Sequence, residues 1–194
     1  MEPHHLSQCL DPTDDLDGVF FHPELPVQVN KQTDLPEYLR QIALERIGDI
    51  PTDAVRVYTD GSRDDHHRAG SGIYIKSQDH NLRIQIRNPD GCSVFRSELI
   101  AIDEALASLV SLKDGKEIWI LSDGRSAIQH LARLERVRDK VGTSIISKLK
   151  QLSTSHIIHL QWIPSHVNLE GNEIADTLAK AGALLKLRVT QGCK

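Results

Sequence analysis

From residue 55 onward the sequence alternates two hydrophobic periods, and this alternation constrains the fold more than any other feature. "VRVYT" (55–59) is a β-branched run, and "GSGIYIKS" (70–77) with "NLRIQIR" (81–87) reads as an antiparallel pair about a turn near "QDHN". "EIWILS" (117–122) and "HIIHLQWI" (156–163) are later strands. Between them, "FRSELIAIDEALASLV" carries Leu99, Ile102, Leu106 and Leu109 at helical spacing, "RSAIQHLARL" starts after Gly124, and "DKVGTSIISKLKQL" precedes the final strand. A last helix is expected over "LEGNEIADTLAKAGA" (169–183). A three-strand meander followed by helix, strand, helices, strand and helix predicts an α/β domain, a five-stranded mixed sheet flanked by helices. No internal repeat is visible.

The first fifty residues differ in kind. They hold ten acids against three bases (Lys31, Arg40, Arg46), a net charge of −7, whereas the remainder of the chain is +3. They also hold five of the eight prolines, and only "PEYLRQIALERI" has helical character. Residues 1–50 are therefore expected to be an acidic, Pro-rich leader or tether ending in one helix, with the folded domain over 51–185 and a short tail over 186–194. No apolar run approaches ~20 residues, so no membrane span is expected. The first residues lack a basic n-region and an apolar h-region, and an intracellular address and a monomer are the default expectations. Cys9, Cys92 and Cys193 are odd in number and far apart, which suits neither a disulfide framework nor a zinc site. The pairs His4/His5 and His66/His67 match no metal-ligand spacing.

Four carboxylates bear on chemistry. Asp60 in "YTDGS" and Asp123 in "LSDGR" each close an apolar strand before a glycine, and neighbouring strand ends in an open α/β sheet are where ligands sit. Taken singly, each also suits a turn, and Asp123 suits a helix N-cap. Glu98 shares a helical stripe with Ala101, Ile102 and Ala105, so it faces the sheet, where a carboxylate is costly unless a cation or hydrogen bonds meet it. Asp176 has the polar helical neighbours Asn172, Glu173 and Lys180, and alone would read as part of a solvated face.

The stretch "LQWIPSHVNLEGNEIADTLAKAGA" (160–183) resembles the closing motif of type 1 ribonuclease H domains, a tryptophan-ending strand, a His-bearing loop and an aspartate-bearing helix. "YTDGS", "FRSELIAIDEAL" and "ILSDGRSA" precede it in the family's order, so the resemblance spans about residues 53–184. The wording is most similar to domains of non-LTR retrotransposons, which implies a reverse transcriptase domain as partner in an ancestral polyprotein and residues 1–50 as the tether between the two. The resemblance implies a ribonuclease H-like fold, with Asp60, Glu98, Asp123 and Asp176 as metal ligands and His166 as the histidine of a mobile loop. Ser165 stands where the related motif has glycine, and serine tolerates a positive φ less readily. Arg133, Arg136, Arg138, Lys140, Lys148 and Lys150 supply positive charge between Asp123 and Asp176, where some relatives carry an extra basic helix.

The implied reaction is hydrolysis of the RNA strand of an RNA/DNA hybrid, leaving 5′-phosphate and 3′-hydroxyl ends. Carboxylates alone would repel a phosphodiester. Two divalent ions roughly 3.5–4 Å apart reverse the sign of the site, activate water and stabilise the leaving oxygen. Oxygen-only ligands favour Mg2+, with Mn2+ as a substitute. Hybrid selection needs contacts to 2′-hydroxyls and to DNA phosphates. Gly61, Ser62 and Arg96 are candidates on the RNA side, and Ser93 is a candidate for a DNA phosphate. The competing reading is a catalytically weak or inactive hybrid-binding module left from a retrotransposon. A binding surface gains nothing from unneutralised carboxylates facing phosphates, which counts against it.

Overall fold

The computed structural model describes residues 16–79, 81–113 and 115–187. In chain order these form β1 (Val19–His22), α1 (Pro36–Gly48), β2 (Val55–Arg63), β3 (Ala69–Lys76), β4 (Asn81–Asn88), α2 (Val94–Ser108), β5 (Ile118–Ser122), α3 (Arg125–Ala132), α4 (Lys140–Leu152), β6 (Ile158–Trp162) and α5 (Glu170–Leu184). Every strand and helix expected from the sequence is present. His4, His5, Cys9, Cys193 and residues 188–194 lie outside the described residues. Among the described residues no helix is long and apolar enough to cross a membrane.

The sheet has six strands rather than the expected five, in the order β1-β6-β5-β2-β3-β4. β1, β6, β5 and β2 run parallel, and β3 and β4 complete the sheet antiparallel. The extra strand is drawn from the proline-rich segment. Four residues between Gly18 and Pro23 are too few to show a period, yet they cover the outer edge of β6, whose N–H and C=O groups would otherwise be open to pairing. Phe20 and His22 also stack on His159 at 5.1 and 5.2 Å, so the strand is held by side chains as well as its ladder.

Strand alternation divides the core between the two faces. Val55, Val57, Ile118, Ile120, Ile158 and Leu160 point to the α2, α3 and α4 side, where Leu99, Ile102, Leu106, Ile128, Ile145 and Leu149 meet them. Tyr58, Tyr74, Trp119 and Leu121 point to the other side, against α1 (Leu39, Ala43, Ile47) and the start of α5. α5 lies almost on the backbone of β3. A Cβ added at Gly72 would sit 2.1 Å from the Ala175 carbonyl oxygen, so "GSG" is a docking surface for the helix that carries Asp176.

A second difference concerns β2. The sequence suggests a strand ending at Asp60, but β2 continues through Gly61 and Ser62 to Arg63, paired throughout with β3. Only the parallel partner stops, since the β2–β5 ladder ends at Thr59↔Ser122. "TDGS" is therefore a half-paired strand rather than a turn.

Gly72→Ala tests the closeness of α5. Overpacking against backbone should cost about 2–3 kcal/mol and lower Tm by about 5–10 °C, measured by thermal unfolding; an unchanged Tm would contradict the contact.

Candidate active site

The β2–β5 register builds the centre of the site. Thr59 pairs with Ser122, so Asp60 and Asp123 are the next residues on adjacent parallel strands, on the face shared with Tyr58 and Leu121. Side chains one step beyond such a pair start about 5 Å apart. Glu98 arrives from the first turns of α2 on the opposite face, which can approach because Gly61 has no side chain. A Cβ there would lie 2.5 Å from the Glu98 backbone nitrogen. Ser122 donates to Glu98 Oε2 at 3.4 Å, and the Gly61 N–H donates to Asp60 Oδ1 at 2.7 Å.

Asp60, Glu98 and Asp123 each present a carboxylate oxygen within 4.8 Å of the other two. Asp60 and Glu98 are buried and Asp123 is half-buried. Asp176, on α5, stands on the wall of the same cleft, where Lys180 donates to its Oδ2 at 2.6 Å. The cleft is open, about 670 Å³ in volume, and its lining also includes Gly61, Phe95, Arg125, Ser165 and His166.

Electrostatics follow from crowding like charges. Burial, then the fields of Asp123 and Glu98, push the Asp60 carboxyl far above the usual carboxylate range. Glu98 is raised as well, by burial and then by Asp123. Asp123 is raised by burial, with the side-chain hydrogen bond from Asn172 and then the charge of Lys31 acting in the opposite direction. Nothing in the cluster neutralises it from within.

The five residues expected to carry the chemistry, Asp60, Glu98, Asp123, Asp176 and His166, thus line one cleft, with Asp176 outside the tight triad. His166 is exposed at its mouth with φ 57°, and Asn168 also has φ 57°. The positive φ in this loop falls on those two residues and not on Ser165, so serine at that position meets no backbone obstacle. Gly61 lines the cleft, whereas Ser62, Ser93 and Arg96 are outside its lining. Ser93 is the N-cap of α2, accepting from the Arg96 N–H at 3.1 Å, and the Arg96 side chain is exposed. Asp123 caps nothing; the residue before α3 is Gly124.

Two site residues were not legible. Asn172, read as part of a solvated face, is 2% exposed and turned toward Asp123. Its place four residues before Asp176 was the available signal, since both lie on one stripe of α5. Arg125 lies over Trp162 at 5.0 Å and donates to the Pro23 carbonyl at 2.9 Å, a long-range contact without a local pattern.

The RNase H family model matches residues 52–184. The chain belongs to the RNase H family.

For an RNase H domain this donor set fits a hard divalent cation. The three converging groups are carboxyl oxygens without cysteine or histidine, burial and mutual repulsion hold back their ionisation so that a cation would favour it, and one side is open for water and substrate oxygens.

Because Asp60 is raised in the folded protein, folding without metal must take up a proton or bury a charge at any pH above the ordinary carboxylate value. That cost is small near pH 4, where the unfolded carboxyl is itself about half protonated, and it grows as pH rises. In EDTA at pH 7.5, Asp60→Asn should therefore raise stability by at least about 1 kcal/mol, a Tm gain of about 2–4 °C. The gain should shrink to about 0.5 kcal/mol or less near pH 4, and added Mg2+ should raise the Tm of the wild type but not of the variant. Equal Tm values in EDTA at both pH values would contradict the charge crowding.

Proposed function

We propose that this chain is an endoribonuclease that cleaves the RNA strand of RNA/DNA hybrids, leaving 5′-phosphate and 3′-hydroxyl ends. The observation that carries this reading is the triad Asp60, Glu98 and Asp123, its oxygens within 4.8 Å of one another at the floor of an open cleft in an RNase H family chain. Asp60, Glu98, Asp123 and Asp176 would hold two Mg2+ ions, with Mn2+ as substitute. Bound there, the ions lower the pKa of the attacking water and stabilise charge on the phosphate and the leaving 3′-oxygen.

The protein's own groups do the remaining work. Asp60, the most crowded of the four, would hold the ions together with Glu98 and Asp123, and Asp176 on the cleft wall would join them. The Asn172 amide orients the Asp123 carboxylate and favours its charged form. Release of Asp176 from Lys180 would free its carboxylate to help hold a cation and leave an ammonium beside the phosphate backbone. His166, exposed at the cleft mouth, is suited to carry a proton to the leaving oxygen or to assist product departure.

On the substrate side, Gly61 and Ser62 offer backbone groups beside the scissile strand, and the exposed Arg96 can reach a ribose hydroxyl or phosphate. The Ser93 hydroxyl accepts from its cap N–H and keeps its own hydrogen for a DNA phosphate oxygen. The motif wording supports descent from a reverse transcriptase-associated domain, with residues 1–50 as the former tether. A monomer acting inside the cell accords with this reading.

The test is cleavage of a 5′-labelled hybrid beside single-stranded RNA, duplex RNA and duplex DNA, in Mg2+ and in Mn2+. Loss of only the hybrid's RNA strand is expected. Asp60→Asn and Asp123→Asn should each reduce the rate at least roughly 10³-fold, about 4 kcal/mol of transition-state stabilisation, while hybrid binding in Ca2+ persists. Hybrid binding without cleavage by the wild type would overturn the reading in favour of a binding module.

A further inference from the structure

Of the three bases of the acidic first segment, two reach the connection between β6 and α5 and the third reaches the end of β6 itself. Lys31 donates from its ammonium to the Ser165 hydroxyl, Arg40 Nε donates to the Asn168 carbonyl at 3.3 Å, and Arg46 Nε donates to Gln161 Oε1 at 2.8 Å. Lys31 and Arg40 thus grip the chain on either side of His166. In the loop between them, His166 and Asn168 both occupy the left-handed region, uncommon for residues other than glycine although asparagine and histidine enter it more readily than most.

The surroundings come largely from the same segment. Leu39, Ala43 and Ile47 of α1 share one apolar cluster with Val167 and Leu169 of the loop. Residues 23 and 24 are tied along the cleft edge by Arg125, which donates to the Pro23 carbonyl at 2.9 Å and to Glu24 at 2.7 Å. The family match begins only at residue 52, so these contacts are made from outside the matched region.

We propose that residues 23–49 are a brace that positions the His166 loop for hybrid cleavage, with Lys31 and Arg40 as positioning residues. The proposal rests on the RNase H reading above. Exposed polar contacts of this kind contribute little to global stability. Their removal should therefore loosen the loop and slow the reaction without unfolding the protein, whereas a purely structural role would leave the rate alone.

The experiment uses the full chain with Lys31→Ala/Arg40→Ala, the conservative Lys31→Arg/Arg40→Lys, and the alanine pair in a His166→Ala background. Three readouts are taken: amide hydrogen exchange over residues 163–169, Tm, and kcat with KM on a labelled hybrid. The alanine pair should speed loop exchange about tenfold and lower kcat about tenfold, with KM and Tm little changed. The conservative pair should recover most of both, and in the His166→Ala background the alanine pair should cost nothing further. Unchanged loop exchange, a raised KM with unchanged kcat (a phosphate contact instead), or the same loss in the His166→Ala background would each overturn the brace. A wild type that cleaves no hybrid would defeat the RNase H reading, and loop exchange would still show whether the two bases hold the loop.

Discussion

The structure turns on where one strand stops. β5 ends at Ser122 while its neighbour β2 runs on to Arg63, held by β3 alone, so Asp60 and Asp123 emerge side by side with no ladder between them. Had both strands continued, their side chains would have been absorbed into sheet packing. The remaining parts of the site conform to that point. Gly61 lets α2 bring Glu98 close, Gly72 lets α5 settle on β3 and present Asp176, and Ser122 and Asn172 steady the carboxylates. Carboxyls that would repel one another when charged are thereby gathered in one buried place, at a cost that a bound cation would lift.

How legible this was depended on the range of the interactions. The helices and central strands follow periods of 3.6 and 2 that the sequence displays openly, and Glu98 betrayed itself as a charge on an apolar stripe. The end of β2 did not. An aspartate followed by glycine and serine has local turn chemistry, and only the tertiary pairing with β3 overrides it. Gly61 shows the same limit, because its close approach to α2 is a steric fact of two elements and has no signature in one. β1 is too short for a period, and Asn172 looks solvated until α5 is rotated onto the sheet.

The charge division of the chain acquires a different meaning in three dimensions. A net −7 over residues 1–50 suggests a segment that keeps away from nucleic acid. Two of its three bases, Lys31 and Arg40, are nevertheless spent at the β6–α5 connection, Arg46 holds Gln161 of β6 and lies over Trp119 at 4.8 Å, and Glu24 answers Arg125 at the cleft edge. Net charge averaged over a segment conceals such placement, since contacts more than 100 residues apart decide which charges face the site.

The central claim is that Asp60, Glu98 and Asp123 form an oxygen-ligand cation site whose cost is lifted by metal. Calorimetric titration of the full chain with Mg2+ near neutral pH, in two buffers of different ionisation enthalpy, tests it most directly. Saturable binding with net proton release is the expected result, because carboxyls held protonated by burial and mutual repulsion must ionise to ligate. Absence of binding, or binding without proton release that survives Asp60→Asn unchanged, would contradict it.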